Sequence, residues 1–231
     1  MTSIDTPCDL AIIGGGLAGL TAGIAASERG LRVAIFERGA DARYPCNSRF
    51  AGGAFHVAYT DPTSEPDDLL AAINRVTKDE ADPALARVMA ENASRTVYWL
   101  RDHGVDFAPG PTPMHKFMVT PHRPMLAGLD WPDHGPDEMI KTLGRRLVAS
   151  GGSFHRNAEV TALRMEDGKC AGLRVRLDGS NETEIDAAGV LRCNKACPLC
   201  SQPVEDAVDA VLLHRQQEAR RQLRSRGPRI K

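Results

Sequence analysis

The chain is constrained most by an apolar run that ends abruptly on glycine. Asp9-Leu10-Ala11-Ile12-Ile13 stops at Gly14-Gly15-Gly16, as a buried parallel strand does when it enters a tight turn. Leu17, Leu20, Ile24 and Ala25 then recur at helical spacing up to Gly30, and a second apolar run, Leu31 to Phe36, ends on Glu37. The order is strand, glycine turn, helix, strand, acid. Each part has a reason in dinucleotide binding. Gly14 permits the turn, Gly16 lets backbone N–H groups approach a pyrophosphate, and Gly19 lets helix and strand pack closely. The helix N-terminus presents its positive dipole end to the phosphates. Glu37, about 20 residues past the turn, is placed to accept hydrogen bonds from ribose hydroxyls and to repel a 2′-phosphate.

The next stretch, Arg38 to Phe55, is polar and glycine-bearing without a helical stripe, whereas an NAD-binding crossover would continue into a helix. It reads as a ligand-wrapping loop. Asn47 and Ser48 offer side-chain donors and Gly52-Gly53 permits close backbone approach, which suits the pyrophosphate and isoalloxazine edge of FAD.

These segments resemble the flavoprotein subunit family of fumarate reductase and succinate dehydrogenase, especially soluble members similar to tricarballylate dehydrogenase. The likeness is carried by Ile12 to Gly19, the Glu37 strand end, Asn47 to Gly53, Ala84 to Phe107, His122-Arg123-Pro124 and Ala158 to Leu163. It implies an α/β, Rossmann-like FAD-binding domain with a parallel sheet and an added β-hairpin, incomplete in this chain. It implies that Gly14, Gly16, Ala18, Gly19, Glu37, Arg38, Asn47, Ser48, Gly52 and Gly53 touch FAD, and that the backbone at Val160 meets the adenine. Membrane-bound relatives carry FAD on a histidine in the loop after the acid; here that stretch holds Asn47, Ser48 and Arg49, so non-covalent FAD is expected. Cys46 stands where many relatives have glycine. His122 and Arg123 fall beside the flavin cavity, where a cation binds a small carboxylate substrate; a solvated loop cation is the alternative.

Asp67 to Lys78, Pro83 to His103 and Asp137 to Ser150 read as helices from their apolar stripes. The stripes Leu69, Leu70, Ile73, Val76 and Leu85, Val88, Met89, Ala93, Val97, Leu100 read as core. Gly110 to Gly135 follows neither period, and its histidines lack paired metal-ligand spacing. Ser153 to Leu163 and Cys170 to Leu177, joined through Asp167-Gly168, read as a hairpin.

The likeness is expected to stop near Ala188, giving an FAD-binding part over 1–188 and a divergent, disordered or helical tail over 189–231, with the third cofactor-contacting strand missing and the chain truncated. Cys193, Cys197 and Cys200 contain one C-x-x-C, but only His214 follows as a fourth ligand and no metal site is assigned. Val204 to Leu223 fits a helix before an arginine-rich end. A formal charge of −1 excludes a global field favouring nucleic acid, and no run reaches the roughly 18 apolar residues of a membrane span. Scattered cysteines and the lack of a basic leader point to the cytoplasm. No catalytic acid or base is assigned and the electron partner is open. The functional expectation is an FAD-dependent oxidoreductase by descent, moving hydride between flavin and a carboxylate substrate, with a non-catalytic flavin- or nucleotide-binding module as the alternative.

Overall fold

A computed structural model describes residues 8–123, 130–179 and 181–193 of the 231-residue chain. In chain order the elements are β1 (Cys8–Ile13), α1 (Leu17–Glu28), β2 (Val33–Phe36), α2 (Asn47–Phe50), β3 (Ala54–Phe55), α3 (Pro66–Thr77) and α4 (Pro83–Asp102). There follow β4 (Phe107–Ala108), a 3₁₀ turn (Pro113–His115), β5 (Phe117–Val119), α5 (Gly135–Ala149), β6 (Ser153–His155), β7 (Ala158–Glu166), β8 (Lys169–Leu177) and β9 (Glu182–Arg192). They form two compact units: residues up to Tyr44 with those from Leu147 on, and Pro45–Arg146 between them.

The first unit is built on a six-stranded sheet in the order β6-β2-β1-β9-β8-β7. β1 lies at its centre, parallel to β2 and to β9, and β6 extends the parallel part beyond β2. All four residues of β2 are buried, and Leu10, Ala11 and Ile12 of β1 are at most 1% exposed. A strand covered on both faces has no polar alternation, which is why these runs read as continuously apolar. β7, β8 and β9 form an antiparallel meander. The turn between β7 and β8 places Asp167 and Gly168 at φ 48° and 74°, the left-handed pair of a two-residue hairpin.

Two expectations are corrected here. Ser153 to Leu163 is not one strand: Asn157, at φ 52°, breaks it, so β6 joins β2 while β7 turns away to pair with β8. The third strand is not missing. β9 pairs antiparallel with β8 through Glu182–Asp186 and then parallel with β1 through Ala187–Arg192, so a boundary at 188 falls inside it. Cys197, Cys200, His214 and the helix expected over 204–223 lie outside the described residues.

The second unit holds α3 and α4 over a core of Val57, Leu69, Ile73, Ala86, Ala90 and Ala93, with a three-stranded sheet β3-β5-β4. Both helices open on proline at N1, and Asp82 Oδ1 caps α4 by accepting from the Leu85 N–H at 2.9 Å. The expected stripe of α4 is only half right. Val97, Leu100 and Ala93 are buried, but Leu85, Val88 and Met89 are exposed, as is Val76 of α3. The N-terminal half of α4 buries its alanines instead, because small residues let the two helix backbones approach.

Candidate functional site

The glycine turn sits at the carboxyl end of β1, where an open parallel sheet places ligands. Gly14 adopts φ 104°, a conformation that L side chains rarely reach. A side chain on Gly14 would meet the Cys193 carbonyl at the end of β9 at 2.8 Å, and one on Gly19 would meet the Gly14 carbonyl at 2.0 Å. Turn, helix and β9 therefore crowd one point. Cys193 continues the parallel pairing past β9, its N–H donating to Ile13 O at 2.9 Å.

Helix α1 starts at Leu17 with Gly16 as N-cap, no side-chain cap and no acid in its first turn. Among the described residues the N–H groups of Gly16, Ala18 and Gly19 have no acceptor. Helices normally satisfy such donors with capping side chains, water or ligand. Here they form a cluster of donors at a positive helix end, which fits an anionic pyrophosphate.

Glu37 follows β2 and is 7% exposed. Its Oε2 accepts from the Gly15 N–H at 2.9 Å and its Oε1 from the Gly39 N–H at 2.8 Å. The carboxylate thus braces the glycine turn before it touches any ligand. A carboxylate has about four lone-pair positions, so two remain for ribose hydroxyls. Arg38 is exposed beside it. The chain then folds back: Tyr44, fully buried, donates its hydroxyl to Gly15 O at 2.6 Å and meets Phe154 edge-on at 5.7 Å. Val160, in β7, is half-buried at a bulge and packs on the core of the first unit.

The remaining expected residues belong to the second unit. Asn47 and Ser48 open the short helix α2, a helical turn where a loop without helical character was expected. Asn47 and Gly52 are exposed, and Ser48 is half-buried. Gly53 is buried at φ 87°, with the ring of Pro136 facing it. His122 is exposed, whereas the Arg123 guanidinium donates to the carbonyls of Phe50 at 2.5 Å, Ala51 at 3.3 Å and Asp130 at 3.0 Å. Those bonds hold the carboxyl end of α2.

The sequence reading passed over Arg49 and Asp137. Both are fully buried and form an ion pair, and the other Asp137 oxygen receives Lys141 Nζ at 2.9 Å and the Asp133 N–H at 2.9 Å. Lys141 Nζ also reaches Asp133 at 3.0 Å and Glu138 at 2.8 Å. The three carboxylates of Asp133, Asp137 and Glu138 thus come together around an ammonium. Gly15, Tyr44 and Phe154 were missed too. A third glycine in a row was the one available signal for Gly15, while the aromatic pair is distant in sequence.

The FAD binding domain family model matches residues 9–216. No curated protein matches the chain by sequence. Among solved structures it is similar to a 3-ketosteroid-Δ4-(5α)-dehydrogenase from Rhodococcus jostii RHA1 in complex with 4-androstene-3,17-dione, at 21% identity and TM-score 0.64, over 83% of this chain and 46% of that one. It is similar to a chain of the Mycobacterium smegmatis Sdh1 complex in the apo form, at 23% identity and TM-score 0.63, over 80% and 34%. A flavocytochrome c3 fumarate reductase in its open conformation gives 20% identity and TM-score 0.62, over 82% and 34%. The chain thus spans between a third and half of the length of these proteins, and at such identities they share its fold alone. With a family match across most of its length, and a turn whose donors and acid suit the adenosine diphosphate half of FAD, the chain belongs to the FAD binding domain family.

Proposed function

We propose that this chain is the FAD-holding part of an oxidoreductase of the fumarate reductase and succinate dehydrogenase flavoprotein type. The observation that carries the reading is the set of N–H groups at Gly16, Ala18 and Gly19 that have no acceptor among the described residues, framed by glycines with no room for side chains and backed by Glu37. When bound, FAD supplies the hydride and electron exchange. The residues of this chain bind and orient it. The α1 N-terminus neutralises the pyrophosphate, the spare lone pairs of Glu37 take the ribose hydroxyls, and the Val160 backbone flanks the adenine. Arg38 lies at the ribose end, and Asn47, Ser48, Gly52 and Gly53 are the further FAD contacts of this reading.

The cofactor is held without a covalent bond in this reading, since the stretch after Glu37 offers no histidine before His56. The substrate class is a small carboxylate, of which a fumarate- or tricarballylate-like acid is the candidate, with His122 and Arg123 as its cations. The proteins sharing this fold include both a steroid dehydrogenase and a fumarate reductase, so substrate choice rests on residues outside the glycine turn.

The experiment is to express the chain, measure flavin per protein from its visible spectrum, and denature it in acid. Close to one FAD per chain, released into the supernatant, supports the reading. A protein that neither carries nor takes up FAD refutes it, and flavin remaining with the precipitate refutes the non-covalent assignment. A bound flavin that no carboxylate substrate reduces and no reductant makes active toward fumarate favours a binding module over an oxidoreductase.

A further inference from the structure

We infer that Tyr44 is a positioning residue that locks the peptide between Gly15 and Gly16, so that the Gly16 N–H faces the cofactor pyrophosphate. The inference rests on the FAD reading above and adds a residue outside the glycine and acid pattern.

Gly14, Gly15 and Gly16 are three residues without side chains in succession, the stretch of this chain whose peptide planes turn over most easily. In a trans peptide the carbonyl of one residue and the N–H of the next point in opposite directions. If the Gly15–Gly16 plane flips, the Gly16 N–H turns away and the Gly15 carbonyl oxygen turns toward the anion. One donor becomes one repulsive acceptor.

The structure holds the peptides on the two sides of Gly15 by different groups. Glu37 Oε2 takes the Gly15 N–H at 2.9 Å, and the Tyr44 hydroxyl donates to Gly15 O at 2.6 Å. Tyr44 is itself immobile: 2% exposed, edge-on to Phe154, with its Cβ only 2.3 Å from where a side chain on Gly39 would begin. A side chain on Gly15 would sit 2.7 Å from Phe154 and 3.0 Å from the Tyr44 hydroxyl, so Gly15 is seated against this aromatic wall. With its carbonyl tied to the wall, the Gly16 N–H points the other way and has no acceptor among the described residues. Glu37 alone does not suffice, because it holds the preceding peptide and leaves the Gly15–Gly16 plane free to rotate.

The test is Tyr44→Phe in the full chain, with FAD, ADP and adenosine titrated by NMR so that millimolar Kd values are measurable. Removing the hydroxyl is expected to weaken ADP and FAD roughly five- to ten-fold, the factor one hydrogen bond carries, and to leave adenosine unchanged. Equal weakening of adenosine marks a merely structural role and overturns the inference, as does unchanged ADP affinity. If Tyr44→Phe does not fold, the wild-type chain labelled with ¹⁵N-glycine decides: the Gly16 amide signal moves downfield with ADP and stays put with adenosine. A Gly16 signal that ignores ADP overturns the inference. Wild-type protein that binds neither FAD nor ADP removes the FAD reading and this inference with it, an outcome distinct from normal binding by both proteins.

Discussion

Replacing Glu37 by glutamine keeps shape and volume but converts one of two engaged oxygens into an NH₂ group. In the native protein Oε2 and Oε1 each accept a backbone N–H, from Gly15 and Gly39, and the side chain is almost wholly withdrawn from water. Whichever way the amide turns, one backbone N–H faces another donor. A hydrogen bond to a charged acceptor is worth about 1.5–3 kcal/mol, and a buried donor left unsatisfied costs about 1–3 kcal/mol. The apoprotein should therefore lose about 2–4 kcal/mol, and for a chain of this size each kcal/mol moves the midpoint by roughly 2–4 °C, so a fall of about 4–16 °C is expected. FAD binding should weaken further than this local loosening alone accounts for, by about ten-fold, because one ribose hydroxyl loses its acceptor. Thermal unfolding of apoprotein followed by circular dichroism measures the first effect, and flavin fluorescence quenching on titration measures the second. An apoprotein midpoint within about 1 °C of wild type would show that the carboxylate does not brace the turn. Unchanged FAD affinity would show that it does not face the ribose.

Four further outcomes are expected. Gly19→Ala puts a methyl 2.0 Å from the Gly14 carbonyl, so helix α1 must move off β1; a loss above about 3 kcal/mol in urea unfolding, with loss of FAD uptake, is expected. Asp137→Ala removes the buried carboxylate that faces the Arg49 guanidinium and should cost about 3–5 kcal/mol by the same assay, whereas Lys141→Met, at the wetter side of the cluster, should cost clearly less. Burial pushes the imidazole of His155, stacked on Phe36, below its ordinary pKa, so at mildly acidic pH the unfolded chain binds the proton more readily than the folded one. The stability penalty from this group is thus absent above about pH 6.5 and grows as pH falls through that value. His155→Phe should flatten the drop in midpoint between pH 7.5 and pH 5.5, and an unaltered drop refutes the assignment. Burial, with a smaller contribution from the Asp9 carboxylate, pushes the Cys8 thiol up to about 11, so native protein at pH 8 should leave Cys8 unalkylated by iodoacetamide while denatured protein reacts, as peptide mass mapping would show.

Local patterns made some elements legible. The runs Leu10–Ile13 and Val33–Phe36 are uninterrupted because both faces of those strands are covered, and the caps of α3 and α4 are written in their prolines and in Asp82. β9 was illegible for a physical reason. Its first half alternates charge with apolar residues as an outer strand does, with Glu182, Glu184 and Asp186 exposed and Ile185 buried, and its second half is largely small residues beside β1. One strand serving two sheet environments shows neither period for long. In α4 the alternation fits two faces, and only the packing of α3 selects Ala86 and Ala90 over Leu85 and Met89. β6 and β7 looked like one strand because a single residue, Asn157, redirects the chain.

By itself the sequence determined the strand, glycine turn, helix, strand and acid, since each of these depends on neighbours within a few residues or on one required backbone freedom. It thereby determined the class of ligand: a positive helix end beside a carboxylate suits a nucleotide diphosphate with free ribose hydroxyls. Tertiary structure decided what holds that turn in shape. Tyr44, Phe154 and Cys193 reach Gly14 and Gly15 from far along the chain, through contacts that follow no period and no spacing rule. Glycines grant the turn its conformation but cannot enforce it, because a residue without a side chain is equally free to leave; enforcement needs groups brought in from elsewhere by the fold.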